Sequence, residues 1–508
     1  MFRETANLPL ILRSHIRHPR AILQFDLGQV FYVRRSNLGN AVASPSTPSM
    51  LHGLRCPKLV LVSRPSATST RATRRGLLTL AIESSCDDTC VSILSKRTTY
   101  SEPNSTKTHL HFNERITLPN TGKGGIYPPE ALNSHQLNLA KLVERSLPFL
   151  PEGGQALPER KRLSLQDGGL KEKPDFVSVT RGPGMNQNLA TGLNTAKGLA
   201  TAWQIPLVGV HHMQAHALTP RLVNSMEGSS PNSLEPDFPF LTLLVSGGHT
   251  MLLYSKGLVE HEVLASTRDV AVGDELDKCG RIILPQNIQQ AIPDTAFGKS
   301  LSAYAYKTSE DFTSWGVPQT RQEEILRPLN KFGWNMMTPM AKNRDLAFNF
   351  SGIASQVSRI MRGRTSSGDG APMSEEERLL LARAALGTAF EHLGSRTIMA
   401  LEKLREQEVE ISTLVVSGGV AANDFLRYYL RQMLHMRSFG SVSLVFPSVE
   451  LCTDNAAMIA WAGMEMFEAG YRTDLGCGPL KKWSMDRHSE DGGILGVPGW
   501  LGTDGQRV

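Results

Sequence analysis

Two apolar runs in this chain end in the same way. Leu241 to Val245 leads into Ser246-Gly247-Gly248-His249-Thr250, and Leu414 to Val416 leads into Ser417-Gly418-Gly419-Val420-Ala421-Ala422-Asn423. A buried strand that stops at paired glycines makes a turn whose missing Cβ atoms let backbone N–H groups approach a phosphate or acyl group closely. Ordinary tight turns use the same pair, so a single copy says little. Two copies at matching places in successive α/β segments point to two related lobes that grip one ligand between them. At 508 residues the chain is long enough to bury at least two cores.

The rest of the pattern supports an α/β chain. Order is expected from Leu77, where Leu77 to Ile82 reads as a buried strand. It ends in the polar tip Glu83 to Thr89, and Cys90 to Leu94 follows as the second arm of a hairpin. Residues 151–174 read as a polar Gly/Pro-rich loop. Then come a strand at Phe176 to Thr180, the turn Arg181-Gly182-Pro183-Gly184 and a small-residue helix from Asn186 to Trp203. A strand at Leu207 to Val210 runs into His211-His212-Met213-Gln214-Ala215-His216. An amphipathic helix is expected over 375–402, and another from about Asp424. The expected division is a disordered leader at 1–76, one lobe at 77–235, a second at 236–487 with an irregular insertion at 285–345, and a flexible tail at 488–508.

Charge is unevenly placed. Residues 1–78 hold eleven Arg and one Lys against only Glu4 and Asp26, so the formal +6 of the whole chain resides in the leader and the body is net acidic. An Arg-rich, Ser/Thr-rich, acid-poor leader has the composition of a mitochondrial or plastid transit peptide. Contact with RNA would then need a local patch. The six cysteines are scattered with no C-x-x-C pair, which argues against a disulfide framework and a thiolate zinc site. No apolar run approaches bilayer-spanning length, so no membrane partner is expected.

His212 and His216 stand four residues apart, which on a helix puts both imidazoles on one face, suited to a single divalent metal. The oxygen ligand expected to complete the set is Asp454, in Cys452-Thr453-Asp454-Asn455, read as the start of a helix that stabilises a carboxylate. Two His and one carboxylate leave positions open for substrate and suit iron or zinc.

Six blocks in order resemble the universal tRNA threonylcarbamoyladenosine transferases, formerly described as O-sialoglycoprotein endopeptidases. They are Ala81 to Thr89, Gly124 to Pro129, Thr180 to Gly184 with Ala196 to Ala200, His211 to His216, Leu244 to Thr250, and Ser417 to Asn423 with Cys452 to Asn455. Together they span about residues 77–485. The two prolines after Gly124-Gly125-Ile126-Tyr127 resemble the mitochondrial branch. The resemblance implies a two-lobed actin/Hsp70/sugar-kinase-like α/β fold with a ligand cleft between duplicated lobes. It implies a donor, L-threonylcarbamoyl-adenylate, and an acceptor, N6 of the adenosine 3′ of the anticodon in tRNAs reading codons that begin with A. The product would be t6A, made in the mitochondrial matrix by a homodimer. Carried over residue by residue, His212, His216 and Asp454 would hold one metal ion per subunit. Leu244, Val245, Ser246, Gly247, Gly248, Asp277, Asn423 and Thr453 would bind the adenylate. A second Gly-Gly turn usual after the Asp277 block is missing, and Gly298 is its nearest equivalent. No separate general base is named, because the mixed carbamoyl–phosphate anhydride is already activated and needs mainly positioning and charge neutralisation.

Rival readings follow from the same residues. A metalloprotease of the H-E-x-x-H kind needs Glu directly after the first His, and that position is Met213. A phosphotransferase or ATPase of the same fold would set carboxylates around Mg²⁺, where this chain offers two imidazoles. A non-enzymatic RNA-binding module would have no use for all three metal ligands.

Overall fold

The computed structural model describes residues 76–98, 106–118, 126–154, 157–227, 234–292, 296–366 and 373–508. All of them belong to one compact unit, Arg71–Val508. The Arg-rich leader, Cys56 and the Gly124-Gly125 pair lie outside the described residues.

The first strands form as their sequence dictates. Strand β1 (Leu77–Glu83) pairs antiparallel with β2 (Asp88–Thr98), Leu77 opposite Lys96 and Glu83 opposite Cys90. The expected polar tip is thus the hairpin turn. Strand β3 (Thr106–Thr117) continues the meander, and α1 (Pro128–Ser146) covers it, starting at a proline suited to a first helical turn. Within the expected loop at 151–174, β4 (Arg162–Ser164) and β5 (Leu170–Glu172) form a small hairpin. Strand β6 (Phe176–Gly182) is buried throughout and parallel to β1, and α2 (Asn186–Trp203) returns the chain to β7 (Leu207–His211), parallel to β6. Helix α3 (His212–Glu227) follows without a loop.

A second sheet starts with the meander β8 (Phe240–Val245), β9 (Thr250–Ser255) and β10 (His261–Ser266). Helix α4 (Val272–Ile283) precedes α5 (Gln286–Ala291), α6 (Phe297–Ala305) and α7 (Arg321–Ile325), so the expected insertion is partly helical. Its irregular remainder is fastened along the long helix that follows: Arg327 pairs with Glu391, Thr338 donates to Glu391, and Arg396 donates to the Met340 and Asn343 carbonyls. Helices α8 (Gly352–Ser366) and α9 (Glu375–Glu406) lead to β11 (Thr413–Ser417), α10 (Asp424–Met436) and β12 (Ser443–Val445). Strand β11 lies parallel to β8, Ser417 opposite Leu244. That register brings both glycine turns to one end of one sheet.

The chain then goes back to the first sheet. After α11 (Val449–Cys452) and the apolar α12 (Ala456–Glu468), strands β13 (Arg472–Thr473) and β14 (Trp500–Leu501) extend it in the order β14-β13-β7-β6-β1-β2-β3. This corrects the expectation of a flexible tail at 488–508. Ile494 and Trp500 are buried, and the indole of Trp500 donates to the Ile494 carbonyl. Buried Arg181 fastens the segment by donating to the carbonyls of Gly478 and Pro498 and lying 5.8 Å from the Trp483 ring. No described helix is long and apolar enough to cross a membrane.

Candidate metal and nucleotide site

Helix α3 begins at the C-terminal end of β7, so its first turn emerges between the sheets. His211 ends the strand and acts as a cap. Its Nδ1 accepts from the backbone N–H of Met213 at 3.2 Å and of Gln214 at 3.4 Å, while Nε2 donates to the Trp483 carbonyl. Burial pushes its pKa down to about 3, consistent with that neutral role. His212 and His216 share the next face, with rings 4.8 Å apart and nearly perpendicular. Asp454 meets them from the loop between α11 and α12. Its Oδ1 lies 3.1 Å from His216 Nε2 and 3.4 Å from His212 Nε2.

The cap of α12 is Asn455, whose Oδ1 accepts from Met458 N–H at 3.0 Å, which corrects the expectation that Asp454 occupies the helix start. Asp454 is thereby free to face the histidines, one residue before the helix.

Potential ligand atoms of the three residues all lie within 4.8 Å of one another. The electrostatics suit a cation. Burial opposes charge on His212, but Asp454 and Glu83 outweigh it and hold the imidazole pKa well above its usual value. Burial likewise opposes ionisation of Asp454, yet His212 and His216 hold it well below the carboxylate range. A place that stabilises positive charge this strongly, built from two imidazoles and a carboxylate, fits a divalent ion. His216 Nδ1 is buried and has no hydrogen-bond partner among the described residues.

The first glycine turn is closed by its serine. Ser246 Oγ accepts from the N–H of His249 at 3.0 Å and of Gly248 at 3.3 Å, so those two groups are used internally. Gly247 and Gly248 otherwise face open space, with nothing within 4 Å of a Cβ built there. His249 beside them is pushed down to about 4 by burial and then by the nearby His212 charge. The second turn differs. Gly418 has φ of 101° and a Cβ there would collide with the Val245 carbonyl, so the two turns are pressed together at this point. Ser417 Oγ is buried with no partner among the described residues and does not copy the bonding of Ser246. Leu244 and Val245 are buried core of β8, so only their backbone is available to a ligand.

Three further expected residues meet around α6. Gly298 N–H donates to Asp277 Oδ1 at 2.6 Å, and Asn423 Nδ2 donates to Ser302 Oγ at 3.0 Å. Asn423 also caps α10, accepting from Leu426 N–H. Gly273 N–H donates to Ser246 O at 3.2 Å, which sets Asp277 one helical turn along α4 from the first glycine turn. Thr453 connects this region to the metal ligands. Its hydroxyl accepts from Arg115 Nη1 at 2.6 Å, and its methyl faces Gly419.

Sequence reasoning passed over two residues here. Glu83, buried at the end of β1, reaches His212 Nδ1 at 3.2 Å, and its signal was a charge closing an otherwise apolar strand. Arg115 on β3 also donates to the Asp454 carbonyl at 3.3 Å, and nothing local in the sequence marks it.

The chain is similar to known proteins along most of its length. The mitochondrial tRNA N6-adenosine threonylcarbamoyltransferase of Schizosaccharomyces pombe is 35% identical over 447 residues, covering 85% of this chain and 91% of that protein. The enzyme of the same name from Cereibacter sphaeroides strain ATCC 17023 is 31% identical over 418 residues, covering 81% and 95%. The family model described as TsaD, tRNA N6-adenosine threonylcarbamoyltransferase, matches residues 161–461, the stretch that holds both histidines, both glycine turns and Asp454. With its actin/Hsp70-like α/β fold, this chain belongs to the tRNA N6-adenosine threonylcarbamoyltransferase family.

Proposed function

We propose that this enzyme transfers the threonylcarbamoyl group of L-threonylcarbamoyl-adenylate to N6 of the adenosine 3′ of the anticodon, in tRNAs reading codons that begin with A, in the mitochondrial matrix. The observation that carries the reading is the convergence of His212, His216 and Asp454 beside the two glycine turns. In this reading the open Gly247-Gly248 backbone takes the donor's phosphate, and Asp277, Gly298 and Asn423 take its nucleoside along α4 and α6. Thr453 lies against both the second turn and the ligand loop, within reach of the donor at their junction.

His212, His216 and Asp454 would hold one iron or zinc ion, which when bound supplies Lewis-acid neutralisation of charge on the donor. The chain's own work is positioning. The glycine turns hold an activated anhydride with its good leaving group in place, and the buried surroundings keep water from competing with the adenosine amine. The N6 nitrogen attacks the carbamoyl carbon, the bond to the phosphate oxygen breaks, AMP leaves, and the amine proton passes to solvent.

The deciding assay mixes the purified chain with threonylcarbamoyl-adenylate and an unmodified tRNA, then digests the RNA and looks for the modified nucleoside. Its appearance, and its loss in His216→Ala, support the reading. ATP turnover without nucleoside modification would favour the phosphotransferase alternative.

The leader reading predicts that residues 1–76 carry a fused reporter into mitochondria, and a diffuse cytosolic signal would defeat it. A homodimer is the proposed assembly, tested by light scattering. The small residues of α2 would let two backbones approach closely, but Gly192, Ala196 and Ala200 are buried within the chain and cannot serve that contact.

A further inference from the structure

We propose that Glu83 is a positioning residue, which keeps a proton on Nδ1 of His212 and so leaves Nε2, turned toward Asp454, as the ligating nitrogen. The inference rests on the metal reading of His212, His216 and Asp454 and names what orients one of those ligands.

Three adjacent parallel strands supply the parts. Ile82 of β1 stands opposite Val179 of β6, and Thr180 of β6 opposite Val210 of β7. The C-terminal ends of these strands therefore bring Glu83, Thr180 and the start of α3 into one row. Glu83 is fully buried, and a buried carboxylate is costly unless its oxygens are bonded. Here Oε1 accepts from Ser85 N–H at 2.6 Å, while Oε2 accepts from the Thr180 hydroxyl and lies 3.2 Å from His212 Nδ1. Among the described residues, its one ion-pair partner is His212.

An ionised carboxylate can only accept, so the shared proton sits on Nδ1. An ion that displaces the second proton of the ring must therefore take Nε2, the atom facing Asp454 at 3.4 Å. Ser85 Oγ, 3.3 Å from the same Nδ1, borders the contact on the other side. His216 has no such support: its Nδ1 is buried without a partner among the described residues. One ligand is therefore held by the sheet before any ion arrives, and the other is oriented only through Nε2. A carboxylate behind a ligating imidazole both fixes the ring and raises its basicity, and losing such a partner costs about 10–100-fold in metal affinity.

The test measures zinc affinity of metal-free protein by competition with a chromophoric chelator. It compares the native chain with Glu83→Gln, Glu83→Ala, Thr180→Val and, as the control for the metal site itself, His216→Ala. Thr180→Val removes a donor to the same carboxylate while leaving the His212 contact. Melting temperatures accompany it, with ¹⁵N-histidine long-range NMR spectra of the metal-free proteins taken at a pH high enough to leave His212 neutral. The expected result is zinc binding weakened about tenfold in Glu83→Gln and up to about 100-fold in Glu83→Ala. Thr180→Val should stay within about threefold, and the His212 Nδ1–H signature should be kept there and lost in Glu83→Ala. Glu83 variants that bind zinc like the native chain would overturn the proposal and leave the metal reading intact. Equal losses in Thr180→Val and Glu83→Ala, in step with melting temperature, would also overturn it, by reducing Glu83 to a structural residue. Native protein whose zinc binding does not depend on His216 would overturn the metal reading and this proposal together.

Discussion

The metal ligands and the glycine turns lie side by side, yet they are built in opposite ways. His212, His216, Glu83 and Thr180 are nearly or fully buried, and each position is set by polar contacts between side chains. Gly247 and Gly248 present bare backbone to open space, and the side chain that shapes their turn is Ser246. The contrast suits the two tasks. An ion needs ligands fixed before it arrives, because it rewards geometry to within tenths of an ångström. A nucleotide needs room for its phosphate to approach the backbone, which the missing side chains leave.

The largest expected effect comes from removing a ligand. His216→Ala and Asp454→Ala should lose bound metal and slow transfer on the order of 10³-fold, since Lewis-acid stabilisation is worth several kcal/mol. Metal content and single-turnover nucleoside formation measure this together. Retention of full metal by either variant would remove the metal half of the contrast.

The glycine half should divide within itself. Gly418→Ala must hold a left-handed φ and push against the Val245 carbonyl, so a loss of about 2–4 kcal/mol is expected, read as a fall in melting temperature. Gly248→Ala has space for its methyl group and should melt within about one degree of the native chain. Its KM for the adenylate should nevertheless rise by roughly tenfold, the effect of a methyl group placed where a phosphate must approach. If Gly248→Ala unfolds the chain and Gly418→Ala does not, the two turns have been assigned the wrong way round.

The smallest effect concerns pH. Away from both parts of the site, burial pushes His261 down to about 4 and His392 down to about 3. His392 Nε2 accepts from Asn349 N–H at 3.0 Å, a bond that protonation there would remove. In the unfolded chain both take up a proton near pH 6.5, so the unfolded state binds more protons below that value. The stability these two residues contribute should therefore be full above about pH 6.5 and decline toward pH 4. Replacing His261 with Gln should flatten part of the slope in melting temperature between pH 7 and 5. An unchanged slope would exclude His261 as a source of acid lability.

Much of this was written locally in the chain. The β1–β2 hairpin, the two histidines on one helical face and the strand–glycine turns all depend on residues within a few positions of one another. What escaped depends on distance. Segment 488–508 looked loose because its order comes from Trp500 and Ile494 packing against a sheet begun more than 400 residues earlier. Strands of two or three residues, such as β4, β5, β13 and β14, are too short to show alternation. Asn455 and Asp454 are equally good caps by composition, and only the nearby histidines decide which one turns inward. The role of Glu83 depends on three strands coming into register.

The return of the C-terminus has a consequence for how the chain is made and delivered. Strand β1 is nearly the first described segment to leave a ribosome or a translocation pore, and β14 is nearly the last. Between those moments the β7 side of the sheet is open, and the surface that later receives Trp483 and Trp500 is uncovered. A chain threaded amino end first must therefore wait with an unpaired β7 edge until β13 emerges, and with β13 itself unpaired until β14 follows. Such a chain should lean on a holding chaperone for the length of its passage, and losing the last ten residues should leave β13 as an unpaired edge with the surface that receives Trp500 uncovered.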